Sequence, residues 1–361
     1  MSSTILKLQT VTPMFLAGAD GQTFDLRPPS IKGVLRFWWR AYYWGSHHNA
    51  ITIEEISRVE GEIFGGTSDN AKKSCFSIRM KPINVSPTSK PLPQKRIPIT
   101  SGGKTLNLDI INYLAYGIKQ NKRQYIPEGQ EFELRLSFRQ ETTEVGGTIF
   151  NVKEEILRSA YFLLTLGGLG AKSRNGFGSL KVLNPKEIFK EISTEFSYPF
   201  SKKIFPFSQT MHNPAIPPFS AFSKGMKIFI LDKDDYATWA ACLADIGEIY
   251  RQAREDLEGK HYQCSKRQFI GAPMVIKTRH GKKESFLERR AKPYFMRIRK
   301  TEKGYGGHIL YLPSNYCGGA GKGPLTDRSG RPINHSKVDA QFTDYCNELN
   351  TYLKRQLKEL P

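Results

Sequence analysis

Alternating and helical patterns of apolar residues divide the first half of the chain into strands and helices. Apolar and polar side chains alternate in TILKLQTVTPMFL (4–16), in CFSIRMKPI (75–83) and, most regularly, in EFELRLSFR (131–139), as in half-buried strands. Apolar residues recur at helical spacing in ITIEEISRVEGEIFGG (51–66), which ends at two glycines, and in VKEEILRSAYFLLTL (152–166). These segments predict alternating strands and helices.

A further helix is predicted in RPPSIKGVLRFWWRAYYW, from Arg27 to Trp44. Its two prolines disfavour helix before Ser30, whose hydroxyl can accept a backbone N–H as the N-cap, so we predict that the helix begins at Ile31. At 100° per residue one arc is apolar, and the neighbouring arc mixes cations with aromatic rings. The apolar arc holds Ile31, Val34, Leu35, Trp38, Ala41 and Tyr42, and the second arc holds Lys32, Arg36, Trp39, Arg40 and Tyr43.

The second arc has the chemistry of a surface for single-stranded nucleic acid. Guanidinium and ammonium groups neutralise phosphate, and flat rings stack on unpaired bases. The alternative is an amphipathic helix whose rings pack on neighbouring elements, since aromatic residues at helical spacing usually belong to a core. The residues alone support both interpretations equally. Trp38 faces the predicted core, so Trp39 is the ring expected to stack on a base.

The order of the elements predicts the fold class. With the strand SLKVL (179–183), the first half reads strand, helix, strand, strand, helix, strand. This βαββαβ order predicts an α+β fold with two helices on one face of an antiparallel sheet, the ferredoxin-like or RRM-like arrangement. Prolines accumulate and periodicity fades between Pro185 and Pro218, so we predict one domain at residues 1–185 and a second at residues 186–361.

The second half repeats this order in a weaker form. Strands are predicted at KIFILD (227–232), Met274–Thr278, Tyr294–Arg299 and His308–Leu312, and helices at Tyr236–Leu257 and Ser336–Leu360. The repeat rests on element order and not on sequence identity. We therefore expect a second, degenerate ferredoxin-like domain.

The charge balance indicates a class of partner. The chain has 54 Lys+Arg against 34 Asp+Glu, a formal charge of +20, spread through sequence that is 39% hydrophobic. This combination indicates a folded basic protein that attracts polyanions, of which nucleic acid is the commonest; an anionic membrane surface or simple solubility is the alternative. No apolar run approaches the ~20 residues that span a bilayer, and the N-terminus lacks a signal-peptide pattern. We expect a cytoplasmic protein without membrane contact.

Cysteine and histidine spacing gives no positive sign of a metal site or a disulfide framework. The five cysteines are scattered and form no C-x-x-C pair, and the seven histidines form no H-E-x-x-H motif. We therefore predict neither a metal nor a cofactor.

Two further segments are candidates for binding anions. The glycine-rich segment GGLGAKSRNGFG (167–178) fits neither a dinucleotide fingerprint nor a P-loop, because it follows a helix and lacks Gly-Lys-Ser/Thr. Its backbone N–H groups could form an anion nest with four polar residues, or its glycines could let the helix pack tightly on the sheet. Those four residues are Lys172, Ser173, Arg174 and Asn175. The basic run ending at Arg289, Arg290 and Lys292 favours contact with a phosphate backbone over a plain solvated surface.

Two of these stretches carry a resemblance to a known family. TPMFLAGADGQTFDLRPPSIKGVLRFWWRA and GGLGAKSRNGFGS closely resemble the RAMP superfamily and, more narrowly, the first-numbered RAMP subunits of the Cmr effector complexes of type III-B CRISPR systems. The specific motifs lie within residues 1–185; the second half contributes only IGEIYRQAR and ERRAKPYFMRI. The resemblance implies two tandem ferredoxin-like RAMP domains and a crRNA-guided complex that captures complementary RNA. The partners that it implies are crRNA, target RNA and other RAMP subunits.

The resemblance also implies a role and a set of residues. The role is a non-catalytic subunit for antiviral defence that contacts crRNA, target RNA or both, at the end of the complex distal to the repeat tag. Carried onto this sequence, the RNA contacts are Lys32, Arg36, Trp39 and Arg40 on the helix and Lys172, Ser173 and Arg174 in the glycine loop, where Asn175 replaces a second basic residue. The residue patterns add Arg27, Tyr43, Arg289, Arg290 and Lys292.

The rival hypothesis is an enzyme. Some RAMP relatives cleave CRISPR transcripts without a metal and use a histidine as general base. His47, His48 or His308 could accept a 2′-hydroxyl proton while Lys or Arg stabilises the phosphorane. No motif places any of these histidines, so we predict a binding protein and no catalytic residue.

Overall fold

The protein is a mixed α/β structure built on two four-stranded antiparallel sheets. The computed structural model describes residues 2–47, 51–66, 71–101, 104–118, 123–189, 211–257, 266–271, 275–278, 281–284, 290–318 and 331–360. The first half contains β1 (Ser2–Thr10), α1 (Pro28–Ser46), α2 (Ile53–Phe64), β2 (Phe76–Pro82), β3 (Arg96–Ser101), β4 (Lys104–Asp109), α3 (Ile110–Leu114), β5 (Glu131–Phe138), β6 (Thr142–Val145), β7 (Thr148–Asn151), α4 (Val152–Leu166) and β8 (Leu180–Val182).

The second half follows with a similar succession of elements. It contains α5 (Pro185–Phe189), β9 (Lys227–Ile230), α6 (Trp239–Asp256), α7 (Arg267–Gly271), β10 (Val275–Thr278), β11 (Gly281–Glu284), β12 (Tyr294–Lys300), β13 (Tyr305–Tyr311), α8 (His335–Gln356) and β14 (Lys358–Glu359).

The two main sheets have the same strand order. The first sheet runs β2-β5-β1-β8 and the second runs β12-β13-β9-β14, and all neighbouring strands are antiparallel. In each sheet the strands therefore lie in the order second, third, first, fourth along the chain. The strands predicted from alternation are present. β5, the most regular of them, lies between β1 and β2 and pairs Leu134 with both Leu6 and Met80.

Two details of the second half differ from the prediction. The strand expected at Met274–Thr278 forms a separate hairpin, β10–β11, and does not join the sheet. The helix expected to reach Leu360 ends at Gln356, because the backbone of Leu357 turns extended and the next two residues become the fourth strand, β14. Glu359 of β14 pairs with Lys227 of β9 at 2.7 Å.

Helix α1 begins three residues earlier than predicted. Its first residue is Pro28, the N-cap is Arg27, and no side chain caps it, so Ser30 lies inside the first turn and is not the N-cap. Proline is tolerated there because the first N–H groups of a helix have no acceptor within it, and its fixed φ already suits the helix. The predicted start at Ile31 is therefore wrong.

Helix α1 packs between elements from both halves of the chain. The ring of Trp38 lies 5.6 Å from that of Phe295 on β12 and 6.0 Å from that of Phe222, which precedes β9. The buried guanidinium of Arg297, also on β12, donates to the carbonyl groups of Leu164 and Gly167 at the end of α4 and to Leu180 of β8. Helix ends leave such carbonyls without partners, so Arg297 caps α4 from the second sheet. The division of the chain at residue 185 stays a prediction.

Candidate nucleic-acid interface

The aromatic rings on the second arc of α1 lie in the core. Trp39 is fully buried, its indole N–H donates to Glu155 Oε2 at 2.7 Å, and its ring stacks on Tyr43 with centroids 4.7 Å apart. Tyr43 is 8% exposed. Phe64 of α2 lies across Trp39 and Phe150 of β7 lies against Tyr43. This burial corrects the prediction that bases stack on Trp39 or Tyr43, because elements after α1 cover both rings.

The two arginines of the same arc bind one carboxylate of α2. Arg36 Nη1 lies 2.6 Å from Glu60 Oε1, and Arg40 Nη1 lies 3.2 Å from Oε2. Arg36 also donates to the carbonyl groups of Phe64, at 3.1 Å, and Gly65. The arginine side chains remain 29% and 39% exposed, whereas that of Glu60 is only 7% exposed. Two guanidinium groups therefore share one carboxylate and leave an excess positive charge at the surface of α1.

Lys32 extends this positive charge toward the start of α1. Its ammonium lies 5.5 Å from the centre of the Phe76 ring, and partial burial lowers its pKa, with further lowering from Arg36 and Arg139. We call Lys32, Arg36, Arg40 and Arg139 the helix cluster. Arg27 lies apart from these interactions and pairs with Asp25 at 3.8 Å. RNA contact by the cations of α1 and by Arg27 stays a prediction.

The glycines of residues 167–178 are used for close packing. A Cβ on Gly167 would lie 2.6 Å from Trp38 Nε1, and one on Gly170 would lie 2.5 Å from the Phe15 carbonyl oxygen. Ala171 N–H donates to that same carbonyl at 2.8 Å, and Asn175 N–H donates to Lys172 O at 2.8 Å. The packing interpretation therefore accounts for these glycines, and the polar tip of the loop is held in place as a consequence.

Lys172, at the tip of the glycine loop, has a backbone conformation that side chains rarely adopt. Its φ is +61°, and it is the one non-glycine residue with positive φ among those described. This conformation costs roughly 1–2 kcal/mol for an L-residue and is over-represented at functional sites. The surrounding contacts must therefore impose it.

Next along the loop, Arg174 contacts the second half of the chain. It donates from Nη1 to the carbonyl oxygen of Lys292, and its guanidinium lies 4.3 Å from the centre of the Phe295 ring. Burial lowers the pKa of Arg174 to about 10, and the neighbouring Arg290 contributes to the lowering. Ser173 is half-buried and its carbonyl accepts from Gly176 N–H at 3.4 Å.

Lys292 lies among other cations. Its ammonium is 4.3 Å from the centre of the Tyr250 ring. Burial lowers its pKa well below the usual value, and the charges of Arg254, Arg174 and Lys172 lower it further. Each charged group that perturbs this amine is thus another cation. A phosphate placed among them would remove the repulsion and replace the missing hydration.

Among the described residues, one carboxylate lies near enough to Arg290 to compensate its charge. It donates from Nη2 to Ser314 Oγ at 3.1 Å, and its guanidinium lies 5.3 Å from the centre of the Tyr316 ring. Burial lowers its pKa, and Asp339 opposes the shift. Arg289, the other arginine predicted in this segment, lies outside the described residues.

The structure thus brings together four predicted residues that are distant in sequence and adds a fifth. We call Lys172, Arg174, Arg254, Arg290 and Lys292 the loop cluster. Arg254, on α6, was missed because a single arginine on the polar side of a helix gives no signal of its own. Its presence in IGEIYRQAR, a segment already tied to the family resemblance, was the available indication.

None of the candidate catalytic histidines that the structure describes belongs to either cation cluster. His308 is fully buried, and burial together with Arg299 and Arg297 holds its pKa well below the usual value. His47 Nδ1 lies 2.5 Å from the Tyr43 carbonyl oxygen, and His48 lies outside the described residues. Within the described part of the chain, no three His, Cys, Asp or Glu side chains could hold a metal, and no helix is long and apolar enough to cross a membrane.

Comparison with known proteins relates both the fold and the sequence to one family. Residues 7–181 match the RAMP superfamily. The chain is 27% identical over 197 residues to CRISPR system Cmr subunit Cmr1-2 of Pyrococcus furiosus, which covers 52% of this chain and 99% of that relative. A second relative, Cmr subunit Cmr1-1 of the same organism, is 28% identical over 184 residues, which cover 48% of this chain and 46% of the relative.

Two solved structures share the fold over nearly the whole chain. The crystal structure of apo Cmr1 from Pyrococcus furiosus superposes with a TM-score of 0.59 and 19% identity, over 99% of this chain and 98% of the other. A chain in the cryo-EM structure of type III-B Cmr-beta bound to cognate target RNA gives a TM-score of 0.51 and 15% identity, over 97% and 99%. Residues 7–181 are therefore a RAMP superfamily domain, carried by a chain homologous to Cmr1 of Pyrococcus furiosus.

Proposed function

We propose that this chain is a non-catalytic, RNA-binding subunit of a type III-B CRISPR ribonucleoprotein of the Cmr class, acting in antiviral defence. It contacts crRNA, target RNA or both, beside other RAMP subunits, at the end of the complex distal to the repeat tag. Homology to Cmr subunits supports the complex, and the shared fold with a chain of a target-bound Cmr-beta structure supports RNA as the ligand. In such a machine the guide reads sequence by base pairing, so the protein needs only to hold backbone and unpaired bases.

The identical strand order of the two sheets supports a tandem arrangement. The order second, third, first, fourth, with a helix after the first and third strands of each sheet, is that of the ferredoxin-like fold. We accordingly infer two ferredoxin-like RAMP domains, residues 1–185 and 186–361. The second carries the weaker sequence signal.

The observation that carries the RNA-binding proposal is the loop cluster. Its cations come from the glycine loop, from α6 and from the segment before β12, and three of them perturb the amine of Lys292. Bringing like charges together opposes folding unless a ligand of opposite charge compensates. Phosphate oxygens supply that charge, and a chain with net charge +20 attracts a polyanion from a distance.

The burial of His308 weighs against the ribonuclease hypothesis. A general base has to come within hydrogen-bond distance of the 2′-hydroxyl, and a fully buried imidazole has no surface to offer RNA. Incubation of the purified protein with repeat RNA in EDTA tests this directly. Cleavage that is abolished in a single His→Ala variant would establish the enzyme and refute the binding-only role.

The RNA-binding proposal is tested by reversing charge inside and outside the loop cluster. Arg254→Glu should lower affinity for a labelled single-stranded RNA at least tenfold, because one phosphate contact becomes a repulsion. Lys303→Glu makes the same change of charge in the turn after β12, at the far end of a strand whose seven residues span roughly 20 Å. Equal affinities for the two variants, at equal fold content by circular dichroism, would refute the assignment of the loop cluster.

A further inference from the structure

The burial of Trp39 and Tyr43 leaves open which ring contacts unpaired bases. Single-stranded nucleic acid is generally held by aromatic platforms between cations, because every base has a face that can stack. Tyr116 has the most exposed large apolar side chain among the described residues, at 82%. It lies in the turn that follows α3, at residues 115–118.

The turn that carries Tyr116 is well ordered by its own backbone. Ala115 N–H donates to Ile111 O at 3.0 Å, Tyr116 N–H donates to Tyr113 O at 3.2 Å, and Ile118 N–H donates to Ala115 O at 3.0 Å. Ala115 and Ile118 are buried on either side of the exposed ring. The backbone of Tyr116 is therefore fixed while its side chain points away from the core.

Helix α3, which leads directly into this turn, is hydrogen-bonded to both sides of the loop cluster. Asn175 Nδ2, in the glycine loop, donates to the carbonyl of Leu114 at 2.6 Å. Arg254 Nη1, on α6, donates to the hydroxyl of Tyr113 at 3.1 Å. The two hydrogen bonds thus join the end of α3, just before Tyr116, to the glycine loop and to α6.

Lys172 also lies near the turn. A Cβ on Gly117, the residue after Tyr116, would lie 4.0 Å from Lys172 Nζ, and Gly117 itself has φ +86°, a conformation that glycine tolerates best. The tip of the glycine loop therefore places the Lys172 ammonium close to the backbone of the residue that follows Tyr116. An ammonium one residue away from an exposed aromatic ring can hold a phosphate while the ring stacks on the attached base.

We propose that Tyr116 is the base-stacking residue of the loop cluster, holding one unpaired base of a single-stranded RNA whose flanking phosphates contact Lys172 and Arg254. The inference rests on the proposed function and adds a residue that no family motif supplies. It makes the loop cluster selective for strands with accessible bases over equally charged duplexes or backbones. Specific base identity is not required, since stacking accepts all four bases.

The test separates stacking from charge by using two ligands of equal charge. The full chain is titrated with a labelled oligouridine and with an abasic oligomer of the same number of phosphates. Tyr116→Ala should weaken oligouridine binding roughly tenfold or more and leave abasic binding unchanged, whereas Tyr116→Phe should bind both like the wild type. Ile149→Ala, which truncates a side chain that is 70% exposed on β7, is the matched control and should change neither affinity.

A fluorescent variant gives a second, independent measurement. The native tryptophans Trp38, Trp39, Trp44 and Trp239 are at most 5% exposed, so Tyr116→Trp adds a solvent-exposed indole. Its emission should be quenched by oligouridine and not by the abasic oligomer. Quenching by both ligands would indicate a conformational change in place of stacking and would overturn the inference.

The remaining outcomes are distinguishable. If Tyr116→Ala binds oligouridine like the wild type while Arg254→Glu weakens both ligands, the stacking inference is overturned and the proposed function stands. If Tyr116→Ala weakens both ligands equally, the ring supports the turn structurally and the inference is also overturned. If the wild-type chain binds neither ligand at low salt, the proposed function itself fails.

Discussion

The indole N–H of Trp39 donates to the carboxylate of Glu155 at 2.7 Å, inside the core between α1 and α4. Burial raises the pKa of Glu155 above its usual value, and the charge of Arg158 and the indole hydrogen bond offset only part of this rise. A buried carboxylate depends on such donors, since water cannot replace them. Trp39, on the second arc of α1, therefore has a structural role.

Substitution of Trp39 should therefore affect folding and not RNA binding. Trp39→Phe keeps an aromatic ring but removes the donor to Glu155 and leaves space, and we expect the free energy of unfolding to fall by about 2–3 kcal/mol. Urea denaturation measures this decrease. Adding Glu155→Gln should recover part of it, because an amide is easier to bury than a carboxylate. A large drop in RNA affinity in folded Trp39→Phe protein would instead support stacking of a base on Trp39.

The sharing of Glu60 by two arginines predicts a strongly non-additive pair of substitutions. Arg40→Ala leaves Glu60 paired with Arg36 and should cost under about 1 kcal/mol, and Arg36→Ala should cost about 1–2 kcal/mol because it also removes donors to the end of α2. The double variant leaves a nearly buried carboxylate without either partner and should cost about 4–5 kcal/mol, more than the sum of the two single variants. A double-mutant cycle by urea denaturation checks this, and strict additivity would contradict the sharing.

These two sites show what the sequence could predict about α1. Most of its apolar arc is buried as the spacing required: Leu35 is fully buried and Trp38 is 1% exposed, whereas Val34 and Tyr42 are half-buried. The rings of the second arc failed as a base-stacking surface because α2 and α4 cover them, and periodicity within one helix carries no information on which later elements pack against it. Glu155 lies next to Glu154 at the start of α4, where acidic residues are common for helix-dipole reasons, so its inward position has no local signature.

For the loop cluster, too, the sequence predicts individual residues but not which of them lie close together. Lys172, Arg174 and Lys292 were predicted individually from local composition, yet their proximity depends on packing between β12 and the glycine loop, 118 residues apart at the hydrogen bond from Arg174 to Lys292. Tyr116 comes near these residues because α3 packs on α6, the helix that carries Arg254, where a Cβ on Gly247 would lie 2.6 Å from Leu114. Alternation, by contrast, did predict the four strands of the first sheet, whereas β14, the fourth strand of the second sheet, was predicted as part of a helix.

The depressed pKa of Lys292 predicts how stability depends on pH. Because the folded state binds this proton less tightly than the unfolded state, the charged amine opposes folding below its folded pKa, and this penalty fades as pH rises toward 10.5. Lys292→Met keeps the aliphatic stem without the charge. We expect the variant to be more stable than the wild type at pH 6, with the difference shrinking steadily toward pH 10 in urea titrations. A difference that does not change with pH would show that Lys292 is not charged unfavourably in the fold.

The final prediction concerns the salt dependence of RNA binding, which counts the phosphates bound independently of affinity. For single strands the slope of log affinity against log salt changes by about 0.7 for each phosphate that the protein neutralises. Arg254→Gln should therefore make the slope shallower by about 0.7, and Lys172→Gln should do the same, since each cation holds one phosphate. Lys303→Gln, outside the loop cluster, should leave the slope unchanged. Tyr116→Ala should lower affinity at every salt concentration without changing the slope, because stacking releases no counterion. A slope that Arg254→Gln leaves untouched would show that Arg254 serves only to hold Tyr113, and the phosphate-binding cations would then have to be sought in the helix cluster.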